Sequence, residues 1–593
     1  MVRGQSLQRR TSQSSETANA GASVRALSKS LEKSLKHGHY DLALLDQAKQ
    51  LDKMIEILPS ALRTADNREY LKNKGLVSEI LDYFGRFDEA NESLRGMALQ
   101  VLERVDRRRK AATQITETAS LKLAREQVRL CLEYAQTFYR QHHYGDAERI
   151  IKNCSQVVEN GVVDEMNFPC YGTRARISYY LGRVLRQTNK YDEAESCFAE
   201  SIRYHYQRAK KTLLKHHNKA NAKPVREELD YARHKSAICL ALGLGWLSYT
   251  KGALARAKSY LMPARVLLLS LDDAINSAYV QLILGAIERC LAGRDKEKLG
   301  TAIDLLEGPC KTFETFGHLP YRARAIFELS LAHLYAGDLT LAGEGRKKVQ
   351  AYSEEKGDVR WCCNALILES RIRRERALSA SGAEARQNLR DSEEIASQAF
   401  QKADKMGDTQ LLCKIDALIA RGEARIQAGD FENARKDLSD ASKINRETDS
   451  AKPLNRSADS TNPKIEAVCN LHLARSYIKE RKAREAAVHL QRWKEVREQV
   501  EHVSVHDLGA GVERDFMKLR TPFVIEPGGS NLKYKKHRAD LFAWLMREAE
   551  FHTARKKEQD QLLGTTRETR RQNKTRGVKK APKAAQGPSQ SKR

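Results

Sequence analysis

Proline is scarce in this chain, at 12 of 593 residues, which disfavours a strand-and-turn architecture and favours long uninterrupted helices. No run approaches the 18 or so apolar residues a membrane-spanning helix needs, so no span and no membrane partner are expected. CxxC is missing as well. The eleven cysteines are scattered, and the only close pair, Cys362–Cys363, is vicinal and a poor disulfide. That usage suits a reducing intracellular compartment (cytoplasm, or nucleus in a eukaryote), with thiols acting as small core residues. Catalytic signatures are lacking too. There is no GxxxxGK[ST] phosphate loop, no GxGxxG and no HExxH. His502 and His506 stand four apart but have no third ligand at metal-site spacing, and are read as surface histidines. The expectation is a non-enzyme with no catalytic residue, no metal and no cofactor.

Charge is abundant. Lys and Arg number 104 against 77 Asp and Glu, a net +27, with charged residues at 31% and apolar residues at 41%. The apolar share is enough for packed structure. The charge suits a helical array with a large surface, and its sign favours acidic partners. The first 22 residues, Arg- and Ser-rich without an apolar stretch, read as a disordered leader.

One phrase recurs: "YFGRFDEANESLRGMA" at 83–98, "QHHYGDAERIIKNC" at 141–154, "QTNKYDEAESCFAES" at 187–201 and "TKGALARAKSYLMPA" at 250–264. It returns as "YAGDLTLAGEG" at 335–345, "QAGDFENARKDLSDA" at 427–441 and "KERKAREAAVHLQRW" at 479–493. Each has a turn residue, often Gly, an apolar residue two on, and Ala three further; a large apolar residue usually follows four after that Ala. Gly, or Asn189 in its place, ends a first helix in a left-handed conformation, and the positions after Ala share one face of a second helix. Twelve before the anchor Ala stands another small residue: Gly182 before Ala194, Gly245 before Ala257, Gly422 before Ala434.

With Leu181, Gly182, Tyr191, Ala194 and Phe198, the segment 179–198 resembles a tetratricopeptide repeat (TPR), and 420–441 is similarly close; the resemblance covers roughly 24 to 497. It implies an all-α fold: a TPR-like right-handed superhelix, or α-solenoid, of antiparallel helix pairs over 23–500. The spacing of anchors exceeds the family's period, so helices are longer or extra turns intervene, as at 205–235 and 374–395. Residues 451–463 read as a loop between the last two repeats.

By the TPR register, the first helix of each pair lines a concave face, at 18, 15, 11, 8 and 7 residues before the anchor Ala. The resemblance then implies Tyr139 and Arg140 ahead of Ala147, and Arg176, Tyr179, Arg183 and Arg186 ahead of Ala194. It adds Trp246 and Tyr249 ahead of Ala257, and Arg475 ahead of Ala486. Arg forks pair with carboxylates and aromatics give rigid contact area, so the groove is expected to hold an acidic or aromatic-containing peptide or protein segment. The family's carboxylate-clamp pattern of Lys and Asn is not reproduced.

After residue 500 the pattern changes. Residues 501–557 read as a C-terminal capping segment ending in a long amphipathic helix over 535–557, and 558–593 as a basic, mostly disordered tail. From Thr553 onward 13 Lys and Arg face 3 Asp and Glu. Residues 544–576 resemble a Fis-type helix-turn-helix through Leu562, Leu563, Gly564, Thr566, Arg567 and Thr569. The resemblance implies nucleic-acid contact by Arg567, Arg570, Arg571, Lys574 and Arg576. Asp560, Thr565 and Arg570 stand where that family packs apolar residues, so the module is degenerate; each polar swap costs about 1–3 kcal/mol. The reading is an interaction scaffold or regulator, with a larger assembly compatible. The alternatives are a DNA-binding transcription regulator and an RNA-associated assembly factor.

Overall fold

The computed structural model describes residues 22–34, 42–56, 63, 67–95, 97–111, 118–141, 143–159, 171–188, 190–215, 223–407, 411–447 and 462–517. The chain divides into two units, Met1–Gly528 and Gly529–Arg593, and every described residue belongs to the first. Outside the described residues lie 1–21 of the leader, most of the 451–463 loop, the 535–557 helix, the 544–576 motif and the tail.

Among the described residues the fold is entirely helical. Helix α1 covers 22–34. There follow α2 (Leu42–Glu56), α3 (Arg68–Tyr83), α4 (Phe87–Arg95), α5 (Ala98–Ala111), α6 (Thr118–Arg140) and α7 (Tyr144–Glu159). Next are α8 (Tyr171–Gln187), α9 (Tyr191–Lys215), α10 (Lys223–Ile238), a π-helical run (Cys239–Gly245), α11 (Trp246–Lys251) and α12 (Leu254–Ser270). The array goes on through α13 (Ala274–Ala292), α14 (Lys296–Thr315), α15 (Leu319–Ala336), α16 (Leu339–Lys356), α17 (Val359–Ser379) and α18 (Gly382–Lys405). It closes with α19 (Leu411–Ala428), α20 (Phe431–Glu447), α21 (Pro463–Lys479), α22 (Ala483–Val496) and α23 (Val503–Met517). Consecutive helices pack as antiparallel pairs, and pairs stack on their neighbours. This is a TPR-like α-solenoid.

The recurring phrase earns its pairs by close approach. The anchors Ala147, Ala194, Ala257, Ala434 and Ala486 are all 0% exposed. At Ala194, Ala257 and Ala434 the large residue four after the anchor lands on the glycine twelve before it. A Cβ on Gly182 would lie 2.9 Å from the Phe198 ring, and one on Gly245 would lie 2.8 Å from Leu261 Cδ2. Only glycine lets those backbones come so near. Gly252, Gly337 and Gly429 end their helices at φ 82, 88 and 89°, as the sequence expects. The long period is met by long helices: α9 has 25 residues and α18 has 24, the latter turned back on α17 within residues 380–381.

Contacts also run between repeats far apart in sequence. Asp273, 1% exposed at the N-terminus of α13, accepts hydrogen bonds from Tyr83 of α3, from His234 Nε2 of α10 at 2.6 Å, and from Asn276. Burial opposes the charge on Asp273, but the His234, Asn276 and Tyr83 bonds hold its carboxyl below its ordinary value. Burial also pushes His234 below its ordinary value, against the pull of Asp273. Asn462, which caps α21, donates to the Thr250 carbonyl at 3.2 Å, and Glu501 N–H donates to the Gly252 carbonyl at 2.9 Å. The array thus touches itself across successive turns.

Candidate ligand-binding groove

The first helices of the pairs from α8 onward wall a cavity of about 650 Å³. It is lined by the ends of α8 and α11, by α13, and by one face each of α15, α17, α19 and α21, with α23 across one side. The face on α17 carries Arg360, Asn364, Ile367, Arg371 and Arg374; on α19, Leu412, Asp416, Ile419, Glu423 and Ile426; on α21, Lys464, Val468, His472 and Arg475. Spacings of three and four keep each set on one stripe.

Four sequence-derived residues, Arg186, Trp246, Tyr249 and Arg475, line this cavity. The other five lie on α6 and α8 and engage protein groups. Arg140 makes a forked pair with Asp82 at 2.9 and 3.1 Å. Arg176 pairs with Glu79 at 3.1 Å and Glu133 at 3.5 Å. Arg183 donates to Gln136 at 2.8 Å and lies 4.6 Å from the Tyr139 ring centroid, and Tyr179 packs on Phe198. Glu133 is 2% exposed, and burial pushes it up to about 7 against the pull of Arg176 and Arg129. Burial of Tyr139 is outweighed by Arg183, Arg186 and Arg140, which bring it down to about 7. Arg567, Arg570, Arg571, Lys574 and Arg576 lie outside the described residues.

Residues not singled out from sequence supply much of the wall. Counting back 18, 15, 11 and 7 from Ala342 gives Arg324, Phe327, Leu331 and Tyr335; from Ala434 it gives Asp416, Ile419, Glu423 and Gln427, all on the lining. The same register therefore reaches these residues from Ala342 and Ala434. The face of α17 has no such anchor, because the α17–α18 turn lacks the phrase. His502, read as a surface histidine, is instead 6% exposed and on the lining, because α23 folds back over α13. Burial lowers its basicity far below the ordinary histidine range.

The wall is cation-rich. Arg186 and Arg324 flank Trp246 at 5.9 and 4.2 Å from its centroid. Arg186 also donates to the Leu242 carbonyl in the π-helical run at 2.5 Å. Arg289 and Arg324 share Glu328 at 2.8 Å each, and Arg294 pairs with Glu375 at 2.9 Å. Glu423 takes Arg374 and, at 2.9 Å, His472; burial opposes its charge, yet these partners hold it well below the carboxylate range. Once these pairs are made, Arg360, Arg371, Lys464 and Arg475 have no ion pair or side-chain hydrogen bond among the described residues. On the acidic side only Asp416 and Asp507 are likewise unpaired. Arg186 Nε, Arg324 Nε and His472 Nδ1 are buried with no hydrogen-bond partner. Such unpartnered polar groups, beside Trp246, Tyr249, Phe327 and the aliphatic side chains of Leu412, Ile465 and Val468, make an apolar cleft with convergent cationic groups.

The helix pairs and their inward stripe define a TPR-like helical-repeat protein with an internal groove. Among solved structures, the chain is similar to a Rap protein complexed with competence and sporulation factor. It is 11% identical, the match covers 73% of this chain and 99% of that one, and the TM-score is 0.47. Aspartyl phosphate phosphatase F from Bacillus subtilis follows at 12% identity, 73% and 97% coverage and TM-score 0.37. Yeast Tom70 stands at 12%, 84% and 96%, and 0.33. No family model and no curated protein matches the chain. No described helix is long and apolar enough to cross a membrane.

Proposed function

We propose that this chain is a non-catalytic interaction module whose inner groove holds an acidic peptide segment of a partner protein. The observation that carries the reading is the surplus of unpaired cations, Arg360, Arg371, Lys464 and Arg475, set among aromatic and aliphatic side chains in one cleft. Guanidinium forks read carboxylates bidentately, and the desolvated surroundings strengthen each such contact. Arg186, Trp246, Tyr249 and Arg475 contact the ligand in this reading. The test is selection of a random displayed-peptide library on the full chain. Asp- and Glu-rich peptides with flanking aromatic or branched residues should be enriched, and Arg371→Glu with Lys464→Glu should erase the enrichment. A selected pool without acidic residues would refute it.

A second reading, contact with nucleic acid through Arg567, Arg570, Arg571, Lys574 and Arg576, is supported by the local charge and the helix-turn-helix spacing. Deleting 552–593 should then abolish duplex binding, and a steep salt dependence with no sequence preference would leave only electrostatic contact.

A further inference from the structure

Asp416 occupies an odd place in the groove. It projects from the inner stripe of α19, one turn after Cys413 and two turns before Glu423, and it is exposed to the cavity. Among the described residues no ion pair or hydrogen bond engages its side chain. Yet it lies within the electrostatic reach of four cations from three helices: Arg324 on α15, Arg360 and Arg371 on α17, and Lys464 on α21. Of these, Arg324 already serves Glu328, while the other three have no partner of their own. The charge of Asp416 also reaches Tyr191, Cys413 and Cys469, which are neutral groups. The enclosing protein raises its carboxyl above the ordinary value, against the pull of Arg371, Lys464, Arg360 and Arg324.

From this placement we infer that Asp416 is a resident counter-ion for Arg360, Arg371 and Lys464, and that it selects for ligands bearing more than one negative charge at that spot. The inference rests on the groove reading above and names the chemistry of its ligand. Three cations that repel one another share the wall of one cavity with the carboxylate of Asp416, which offsets part of that repulsion. A ligand with a single carboxylate only exchanges one counter-ion for another and meets the charge of Asp416 as it does so. A cluster of adjacent carboxylates, or a phosphoryl group, brings enough charge to satisfy the three cations and favours protonation of Asp416 as it binds. Asp416 therefore sets a threshold of charge below which a peptide is not retained.

The probes are a dye-labelled hexaglutamate peptide, a peptide of the same length with one Glu among Ser residues, and a Ser peptide bearing one phosphoserine. They are titrated against the full chain and against Asp416→Asn, with Arg371→Glu as the control for groove occupancy. The expected result is that Asp416→Asn binds the single-Glu peptide at least tenfold more tightly than the parent does, while hexaglutamate gains less. The selectivity between the two peptides thereby shrinks. The phosphoserine arm separates the two sources of multiple charge, following hexaglutamate if any dianion suffices and the single-Glu peptide if several carboxylates are required. A second readout uses only the unsubstituted chain: binding of hexaglutamate near pH 6 should take up protons, seen as a buffer-dependent enthalpy. Tight hexaglutamate binding with unchanged selectivity in Asp416→Asn, or without proton uptake, overturns the role of Asp416 and leaves the groove reading standing. No binding of any acidic peptide by either protein overturns both.

Discussion

The guanidinium of Arg324 lies over the indole of Trp246, 4.2 Å from its centroid, while its other edge donates to Glu328 at 2.8 Å. Trp246 is 8% exposed and also packs on Tyr249 and Tyr279. Removing the indole leaves a cavity beneath Arg324 and strips that cation of its aromatic face. Trp246→Ala should destabilise the chain by about 3–5 kcal/mol in urea unfolding. Trp246→Phe, which keeps a ring, should cost less than half of that. Equal losses in the two variants would mean that the ring face contributes nothing.

Close approach at the anchors makes an opposed pair of glycine substitutions. Gly182→Val forces a Cβ to within 2.9 Å of Phe198, which is itself 0% exposed and has nowhere to move. A loss of about 1–3 kcal/mol or more is expected. Gly343, inside α16, has nothing within 4 Å of where a Cβ would stand, so Gly343→Ala should gain about 0.5–1 kcal/mol from helix propensity. Thermal melting of the two variants should move in opposite directions.

His318 carries a pH dependence of defined sign. It caps α15 by accepting from Tyr321 N–H through Nδ1, stacks on the Tyr321 ring at 3.9 Å and is 1% exposed. Burial, with Arg140 and Arg86 nearby, pulls its pKa down to about 3. The folded state thus refuses a proton that the unfolded chain accepts near its ordinary 6.5. Stability from this group is complete above that value and declines as pH falls from about 6.5 toward 3, by about 1.4 kcal/mol per pH unit. His318→Asn, which retains an acceptor for the cap, should flatten the profile between pH 6 and 4 by that amount. Parallel profiles for the two proteins would contradict the assignment.

Glu501 accepts from Ala255 N–H at the start of α12, whose own N-cap residue, Ala253, offers no side-chain acceptor. A residue from the far end of the repeat array thereby caps that helix. Glu501→Ala should cost about 0.5–2 kcal/mol. It should also raise hydrogen exchange in the first turn of α12 and at 500–505 together. A rise at one site without the other would show that the two are not linked.

The helix pairs were legible because their cause is local. Gly182, Ala194 and Phe198 meet within one pair, so their spacing records the contact. The inward stripe was legible for the same reason, and the register that yields Trp246 and Tyr249 yields Asp416 and Glu423 when carried to Ala434. What could not be read is what crosses turns. Tyr83 and Asp273 are 190 residues apart, and Tyr191 and Asn462 are 271 apart, with no periodicity to announce either meeting. The burial of His502 depends on where α23 lands, not on the residues beside it. The unpaired cations were equally hidden, since Arg374 and Arg371 look alike in sequence and differ only in which one reaches Glu423.

Those cross-turn contacts alter how the array should come apart. In a solenoid whose repeats touch only their neighbours, stability is a sum of local terms, and end repeats can be trimmed or lost one at a time. Here Asp273 ties α13 to α3 and α10, and Asn462 and Glu501 tie the last repeats to α11 and α12. Cutting the chain after α20 would strip α11 and α12 of partners contributed from more than 200 residues away. Denaturation of the described array should therefore be cooperative rather than a fraying from its ends, and its minimal folding fragment should be far longer than any single repeat.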